Sequence, residues 1–270
     1  MTRLRFTLLG TGSSGGVPRI GNDWGACDPG EPKNRRSRCA AMAELVDPSN
    51  PESEPTRILI DTAPDMREQL LAANVGRVDG VLYTHDHADQ TGGIDDLRVL
   101  AISQRERIKV YMDEATAETL MTRAAYCFHG SGDYPPILDK REFITPLEPL
   151  EINGPGGLLS VLPVAQEHGR IGSLGFRIGN LAYCNDLNAL PQESLEALKG
   201  VEVLIIDALR YSPHPSHLNV SEAIILAGEI GGGRTILTNM HIDLDFETLR
   251  AELPDGVEPG YDGLSVELTL

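Results

Sequence analysis

The chain has 270 residues, of which 41% are hydrophobic and 23% are charged, as in an ordinary globular protein. The 40 acidic residues outnumber the 23 Lys and Arg and give a formal net charge of −17, so long polyanions such as duplex DNA are poor candidates for a partner. No apolar run approaches the roughly eighteen residues of a membrane span, and the short run at 4–9 enters a Gly-rich turn, which favours a first strand over a signal peptide. A cytoplasmic protein is therefore expected.

Apolar runs punctuated by Gly and Pro predict many short strands and a few amphipathic helices. In the first half of the chain the predicted strands are 4–9, 40–46, 57–61, 78–84 and 108–112, and the predicted helices are 65–73, 94–103 and 115–126. Strands 40–46 and 57–61 would pair across a polar insert at 47–56. Segments 19–39 and 127–140 are predicted to be loops.

The second half continues in the same manner. Its predicted strands are 143–147, 158–164, 174–178, 181–185, 201–208 and 235–240, and its predicted helices are 192–199 and 221–229. No repeat and no break in composition marks a domain boundary. We therefore predict one α/β domain over 1–270, with two packed sheets covered by helices.

Ligand-type side chains cluster directly after the apolar strand 78–84. His85, His87 and Asp89 alternate there, and alternation in extended backbone directs side chains i and i+2 to the same side. Imidazole and carboxylate ligands suit Zn²⁺, Mn²⁺ or Fe. The sequence therefore predicts a metal site at this strand end.

Further ligand-type residues follow other apolar runs. His168 comes after the strand 158–164, Asp186 ends 181–185, and His241 ends 235–240. Strand ends are where sites form in α/β proteins, so these three side chains are candidates to join the same site. Asp61, at the end of 57–61, either orients a ligand His or caps a turn.

The order of these features resembles the metallo-β-lactamase superfamily. The resemblance runs from Gly-Thr-Gly-Ser-Ser-Gly-Gly-Val-Pro at 10–18, through Thr-His-Asp-His-Ala-Asp-Gln at 84–90, to His241. Within that superfamily the chain is most similar to the phosphodiesterase branch, which includes a cyclic phosphodiesterase of phosphonate breakdown and, more distantly, tRNA 3′-processing endonucleases. The resemblance implies a four-layer αββα sandwich with two metal ions at one edge of the sheets.

The resemblance also implies a role for each candidate residue. The first metal would be held by His85, His87 and His168, Asp186 would bridge the two metals, and the second would take Asp89 and His241. His217 would bind phosphate or protonate the leaving group, with His214 as a neighbour, so Asp89 and His217 are the expected catalytic residues. The metals would be one or two divalent ions, Zn or Mn.

Two departures from the family pattern bear on the metals. Position 90 is Gln where the pattern has His, and an amide oxygen is a weak ligand, so the second metal would bind loosely, be a harder ion such as Mn²⁺, or be missing. The structural zinc of the phosphonate-pathway relative is expected to be absent, because Cys27 lacks close Cys neighbours and position 244 is Leu. Cys27 and Cys39 alone are weak evidence for a metal.

The predicted substrate is a small phosphodiester or nucleotide, attacked at phosphorus by a hydroxide activated by metal. Arg210 would reach a substrate phosphate or form a surface ion pair, and Tyr134 would stack on a base or pack on its own domain. The basic run 33–38 is either a solvated loop or a patch for an anion.

Three other functions stay open. The same scaffold hosts thioesterases and lactonases. A tRNA 3′-processing nuclease is disfavoured by the acidic charge and kept open by the basic run 33–38. A non-catalytic nucleotide-binding protein is suggested by Gln90. A homodimer is expected because that is the commonest assembly.

Overall fold

Two seven-stranded mixed sheets form the framework of the protein. The structure is a computed structural model that describes residues 2–47, 49–50 and 53–270, so part of the predicted insert 47–56 lies outside the described residues. In spatial order the first sheet contains β14 (Ser265–Thr269), β1 (Arg3–Gly10), β2 (Ala40–Val46), β3 (Thr56–Ile60), β4 (Gly80–Leu82), β5 (Ile108–Tyr111) and β6 (Leu138–Lys140). The second contains β13 (Val257–Pro259), β12 (Arg234–Thr238), β11 (Val203–Asp207), β10 (Leu181–Cys184), β9 (Ile171–Ile178), β8 (Gly157–His168) and β7 (Leu150–Gly154).

Each sheet is antiparallel at one end and parallel at the other. Strands β14, β1, β2 and β3 pair antiparallel, whereas β3 to β6 run parallel. In the second sheet β7 to β10 are antiparallel and β10 to β13 are parallel. Most of the polar residues predicted to form a site follow the parallel strands, whose carboxyl ends point the same way, whereas His168 ends the antiparallel strand β8.

Eight helices complete the described chain. Their bounds are α1 (Met66–Ala72), α2 (Ala88–Thr91), α3 (Leu97–Gln104), α4 (Glu114–Arg123), α5 (Ala125–His129), α6 (Gln192–Leu198), α7 (Val220–Ile230) and α8 (Phe246–Glu252). Short 3-10 turns lie at Pro32–Asn34 and Ile94–Asp96. No helix among the described residues is long and apolar enough to cross a membrane.

Three apolar clusters define four layers. The central cluster lies between the sheets and joins alternate residues of β1, such as Phe6, to those of β9, such as Phe176. A second cluster packs α1, α3, α4 and α5 on the outer face of the first sheet, and a third packs α6, α7 and α8 on the outer face of the second. This confirms the predicted αββα sandwich. The expectation of one domain over 1–270 stays a prediction.

Most predicted elements are found within two or three residues of their bounds, but the stretch from 124 to 154 differs. The predicted helix 115–126 is divided at Ala124, and α5 and β6 occupy the predicted loop 127–140, where Cys127 and Phe128 are buried. The strand predicted at 143–147 is wrong. Only Ile144 of its apolar residues is buried, and Phe143 and Leu147 are 45% and 37% exposed. Five further elements have no counterpart among the predicted ones: α2, β7, α8, β13 and β14.

Candidate metal centre and its acid–base pair

Polar residues from both sheets come together at the carboxyl ends of the parallel strands. The Thr84 carbonyl, after β4, accepts a hydrogen bond from the Leu174 amide of the other sheet at 2.9 Å. Three non-glycine residues at these strand ends have positive φ: Asp61 (66°), Asp186 (54°) and Asn239 (62°). This left-handed conformation is costly for residues with a side chain and is concentrated at functional sites.

Three imidazoles form one of two groups of ligand-type atoms among the described residues. One nitrogen from each of His85, His87 and His168 lies within 4.8 Å of the others. His168 Nδ1 donates to the Ser216 carbonyl at 2.7 Å, which leaves the Nε2 lone pair facing His87 Nδ1 at 3.3 Å. Side-chain nitrogens thus converge on one point, as a metal ion requires.

His85 is oriented by a chain of hydrogen bonds. Its Nδ1 lies 3.0 Å from Thr84 Oγ1, which donates to Asp61 Oδ2 at 2.8 Å. With Asp61 ionised, His85 Nδ1 must be the donor to Thr84, so Nε2 keeps its lone pair. That buried Nε2 has no hydrogen-bond partner among the described residues, which fits a metal ligand. Burial raises the pKa of Asp61 to about 8, and a cation nearby would favour its ionised form.

Two of the imidazoles, His85 and His168, are in the protonation state that binds metal. Burial, followed by the charges of neighbouring histidines, lowers the pKa of His85 well below its ordinary value. Burial also lowers the pKa of His168 to about 4, against the hydrogen bond to Ser216. Both rings are therefore neutral at pH 7, and neutral imidazole is the ligand form.

Asp186 lies beside this cluster and is held by amide donors. Its Oδ2 accepts from Asn185 Nδ2 and Gln90 Nε2, each at 2.8 Å, and its Oδ1 accepts from Asn239 Nδ2 at 2.9 Å. Asp186 also forms a ligand-type group with His168 and His217. The sequence-predicted residues His85, His87, His168, Asp186 and His217 are thus brought together.

A buried acid–base pair adjoins the imidazoles. His217 Nδ1 lies 2.8 Å from Oδ2 of Asp207, the fully buried last residue of β11. Burial lowers the pKa of His217, but the hydrogen bond and charge of Asp207 outweigh it and raise the pKa to about 9. His217 is therefore protonated at neutral pH. Its ring centroid is 4.7 Å from that of His168, so its charge lies beside the cluster.

Asp207 is the functional residue that the sequence prediction missed. The sequence feature that could have identified Asp207 is a single carboxylate at the end of the apolar run 201–208. The same pattern identified Asp186. Arg123 of α4 was missed as well. Its guanidinium donates to the Asp86 carbonyl at 3.0 Å and so supports the loop that carries His85 and His87.

The other predicted site residues have different surroundings. His241 Nδ1 bonds Asp243 Oδ1 at 2.6 Å, and its Nε2 contacts the Arg19 guanidinium. Asp89 is half-buried, and its Oδ2 lies 3.4 Å from Gln90 Nε2. His214 stacks beside His217 with ring centroids 5.0 Å apart.

The side chains of Arg210 and Tyr134 each contact other groups of the protein. The Arg210 guanidinium donates to the carbonyls of Ser212 and Pro213, at 3.1 and 2.8 Å, and so shapes the loop that leads to His214. Tyr134 packs against Tyr126 and lies under the Arg98 guanidinium, 4.3 Å from the ring centroid. The structure does not place either side chain in contact with the imidazoles.

The basic run 33–38 is held by contacts within the protein at most of its charged positions, while Arg35 is exposed. Arg36 is 1% exposed and donates to Asn34 Oδ1 at 3.2 Å, and Arg38 pairs with Asp65 at 2.6 Å. Lys33 lies 4.5 Å from the Phe246 ring centroid. Cys27 and Cys39 are buried, and neither belongs to a ligand-type group in the described part of the chain.

Comparison with known proteins decides the family. The model of the family described as "Beta-lactamase superfamily domain" matches residues 56–242, which includes the run from Asp61 to His241. The chain belongs to this superfamily. It has the metallo-β-lactamase fold, which implies divalent metal ions, and the predicted resemblance is confirmed.

Among solved structures, a diphosphatase of the PhnP family is 32% identical, with a TM-score of 0.87, and the alignment covers 99% of this chain and 98% of that one. The short form of human tRNase Z is 16% identical with a TM-score of 0.64 over 97% of this chain and 98% of that one, which shows the shared fold alone. A Porphyromonas gingivalis protein named octanoyltransferase is 35% identical over 97% of this chain. The chain spans about half the length of that relative, 51%.

Proposed function

We propose that this protein is a metal-dependent phosphodiesterase that hydrolyses small, nucleotide-like phosphodiesters. The observation that carries the proposal is the pairing of a three-imidazole cluster with a protonated imidazole next to it. His85, His87 and His168 would hold the divalent ion. When bound, such an ion supplies Lewis-acid activation of water and of the phosphoryl group.

His217 can supply the proton that the leaving group needs in phosphodiester cleavage. An alkoxide is a poor leaving group, and a positioned acid protonates it as the P–O bond breaks. Asp207 keeps His217 protonated and fixes its ring, while the opposite ring nitrogen stays available to the substrate. Hydrolysis of a thioester would not require this acid, because a thiolate is a better leaving group than an alkoxide.

A small substrate fits the charge of the molecule better than a long one. The net charge of −17 repels a polyanion, whereas a single phosphate needs only the local positive groups. Two arginines of the run 33–38 have partners within the protein: Arg38 pairs with Asp65, and Arg36 donates to Asn34. This favours a mononucleotide-sized substrate over tRNA.

The test is a substrate panel with purified protein loaded separately with Zn²⁺ and Mn²⁺. We expect turnover of 2′,3′-cyclic nucleotides and bis(p-nitrophenyl) phosphate that is abolished by a chelator and by His87→Ala. His129→Ala, which removes a histidine outside the cluster, is the matched control and should keep full turnover. Turnover that survives the chelator and His87→Ala would exclude the metal-dependent reaction.

Two other linkages belong in the same panel. Hydrolysis of a diphosphate is the second candidate, favoured by the 32% identity to the PhnP-family diphosphatase. An octanoyl thioester is included because the Porphyromonas gingivalis relative is named octanoyltransferase. A kcat/KM for either compound that exceeds every phosphodiester value would replace the proposed substrate class.

A further inference from the structure

The family resemblance assigns Asp89, Asp186 and His241 to a second metal next to the imidazole cluster, but these three side chains form no ligand-type group among the described residues. We propose that protein groups fill this position in place of a second metal ion. These groups are the Gln90 amide and the Arg19 guanidinium. The chain then binds one divalent ion, and Arg19 supplies the second positive charge to a substrate phosphate. The inference rests on the proposed metal site at the three imidazoles.

Gln90 joins the two carboxylates that a second metal would have to join. Its side chain is fully buried, and its Nε2 lies 2.8 Å from Asp186 Oδ2 and 3.4 Å from Asp89 Oδ2. An amide nitrogen carries two N–H donors and has no lone pair to offer a metal. The opposite amide orientation would direct an oxygen at both carboxylates, which favours the donor orientation. In this orientation Gln90 Oε1 is buried and has no hydrogen-bond partner among the described residues.

The Asp186 carboxylate has little capacity left for a further ligand bond. A carboxylate offers about four lone-pair sites. The amides of Gln90 and Asn185 occupy Oδ2, the Asn239 amide occupies Oδ1, and His217 Nδ1 lies 3.5 Å from Oδ1. These three hydrogen bonds leave one free site, on Oδ1. If one metal ion takes that site, a second ion would have to displace one of these buried donors and leave it unpaired, which is costly.

His241 is engaged by Arg19. Because His241 Nδ1 donates to Asp243, its lone pair is on Nε2, the atom that contacts the Arg19 guanidinium. A guanidinium is always charged and is a donor only, so it takes the lone pair that a metal would need.

Arg19 remains open to an anionic ligand. It forms no ion pair with a carboxylate in the described part of the chain. It lines an open groove of about 1200 Å³ together with Arg35 and Arg38, and this groove does not include the imidazoles. A Cβ on Gly15 would lie 3.1 Å from Arg19 Nε, so glycine there leaves room for the Arg19 side chain to cross the loop. A guanidinium in this place suits the planar pair of oxygens of a phosphate.

The first test is a metal count by mass spectrometry after loading with Zn²⁺ or Mn²⁺ and dialysis. We expect one ion per chain in the wild type and in Asp89→Asn, and close to none in His87→Ala. The double variant Gln90→His with Arg19→Ala should approach two. Gln192→His, which adds a histidine at an exposed position, is the control and should stay at one. Two ions in the wild type, or one in the double variant, would overturn the proposal.

The second test isolates Arg19 by its affinity for inorganic phosphate, measured by calorimetry on protein loaded with one Zn²⁺. Arg19→Ala should weaken phosphate binding by about tenfold or more, as expected for the loss of a hydrogen bond from a charged group, with the metal count unchanged. Arg250→Ala, on α8, is the control. Equal affinity in wild type and Arg19→Ala would remove Arg19 from this role. A protein with one metal that cleaves no phosphodiester would refute the proposed function and leave this inference standing.

Discussion

Replacing Asp207 by Asn tests whether this buried carboxylate sets the charge of His217. The pKa of His217 is about 9 in the folded protein, and burial acts to lower it. Without the hydrogen bond and charge of Asp207, we expect the pKa to fall to its ordinary value of 6.5 or lower. A fall of about 2.5 pH units corresponds to about 3.4 kcal/mol and reduces the protonated fraction at pH 8 from about 90% to about 3%, roughly 30-fold.

The assay is the pH dependence of kcat/KM for a 2′,3′-cyclic nucleotide. A general acid acts in its protonated form, so activity in the wild type should fall as the pH rises through about 9. In Asp207→Asn the same fall should occur near pH 6.5 or below. The control is bis(p-nitrophenyl) phosphate, whose leaving group departs without a proton and should lose little rate. A variant whose profile superimposes on the wild type, or that loses both substrates equally, would refute the reasoning.

Three further predictions concern orientation and stability. Thr84→Val removes the hydroxyl between Asp61 and His85, and we expect metal affinity to fall about 10–100-fold in a chelator competition while the far-UV circular dichroism spectrum is kept. Asn219→Ala breaks the capping box that starts α7 and should cost about 0.5–2 kcal/mol in urea unfolding; an unchanged midpoint would contradict this. Phe176→Ala empties space between the sheets and should cost about 3–5 kcal/mol in the same assay, and a loss under about 1 kcal/mol would argue against the central cluster.

Elements with a strong local pattern could be predicted from the sequence. The strand at 40–46 is found with the predicted bounds. It is buried along nearly its whole length, and such a strand gives a compact, mostly apolar run in the sequence. The same holds for the ligand-type residues that end apolar runs, such as His168 and Asp186. A polar side chain directly after a buried strand indicates a candidate site residue, and this pattern can be recognised in the sequence without knowledge of the fold.

The segment 143–147 shows where local pattern fails. Its apolar residues resemble a strand, but a strand exists only where a neighbouring strand supplies hydrogen bonds, and the first sheet ends at β6. In contrast, β14 has a weak apolar pattern, yet it pairs with β1 from the other end of the chain. For both segments, pairing with a segment distant in the sequence decides whether a strand forms.

The amino-acid sequence by itself determined the layers of the fold and the ligand-type residues of the imidazole cluster, because both depend on patterns within short segments of the chain. Only the tertiary structure decided which groups surround them. Asp207 pairs with His217, Gln90 donates to Asp186 from the other sheet, and Arg19 reaches His241 across 222 positions of the sequence. The physical reason is that hydrogen bonds and charges act through space over a few ångströms, whatever the separation along the chain.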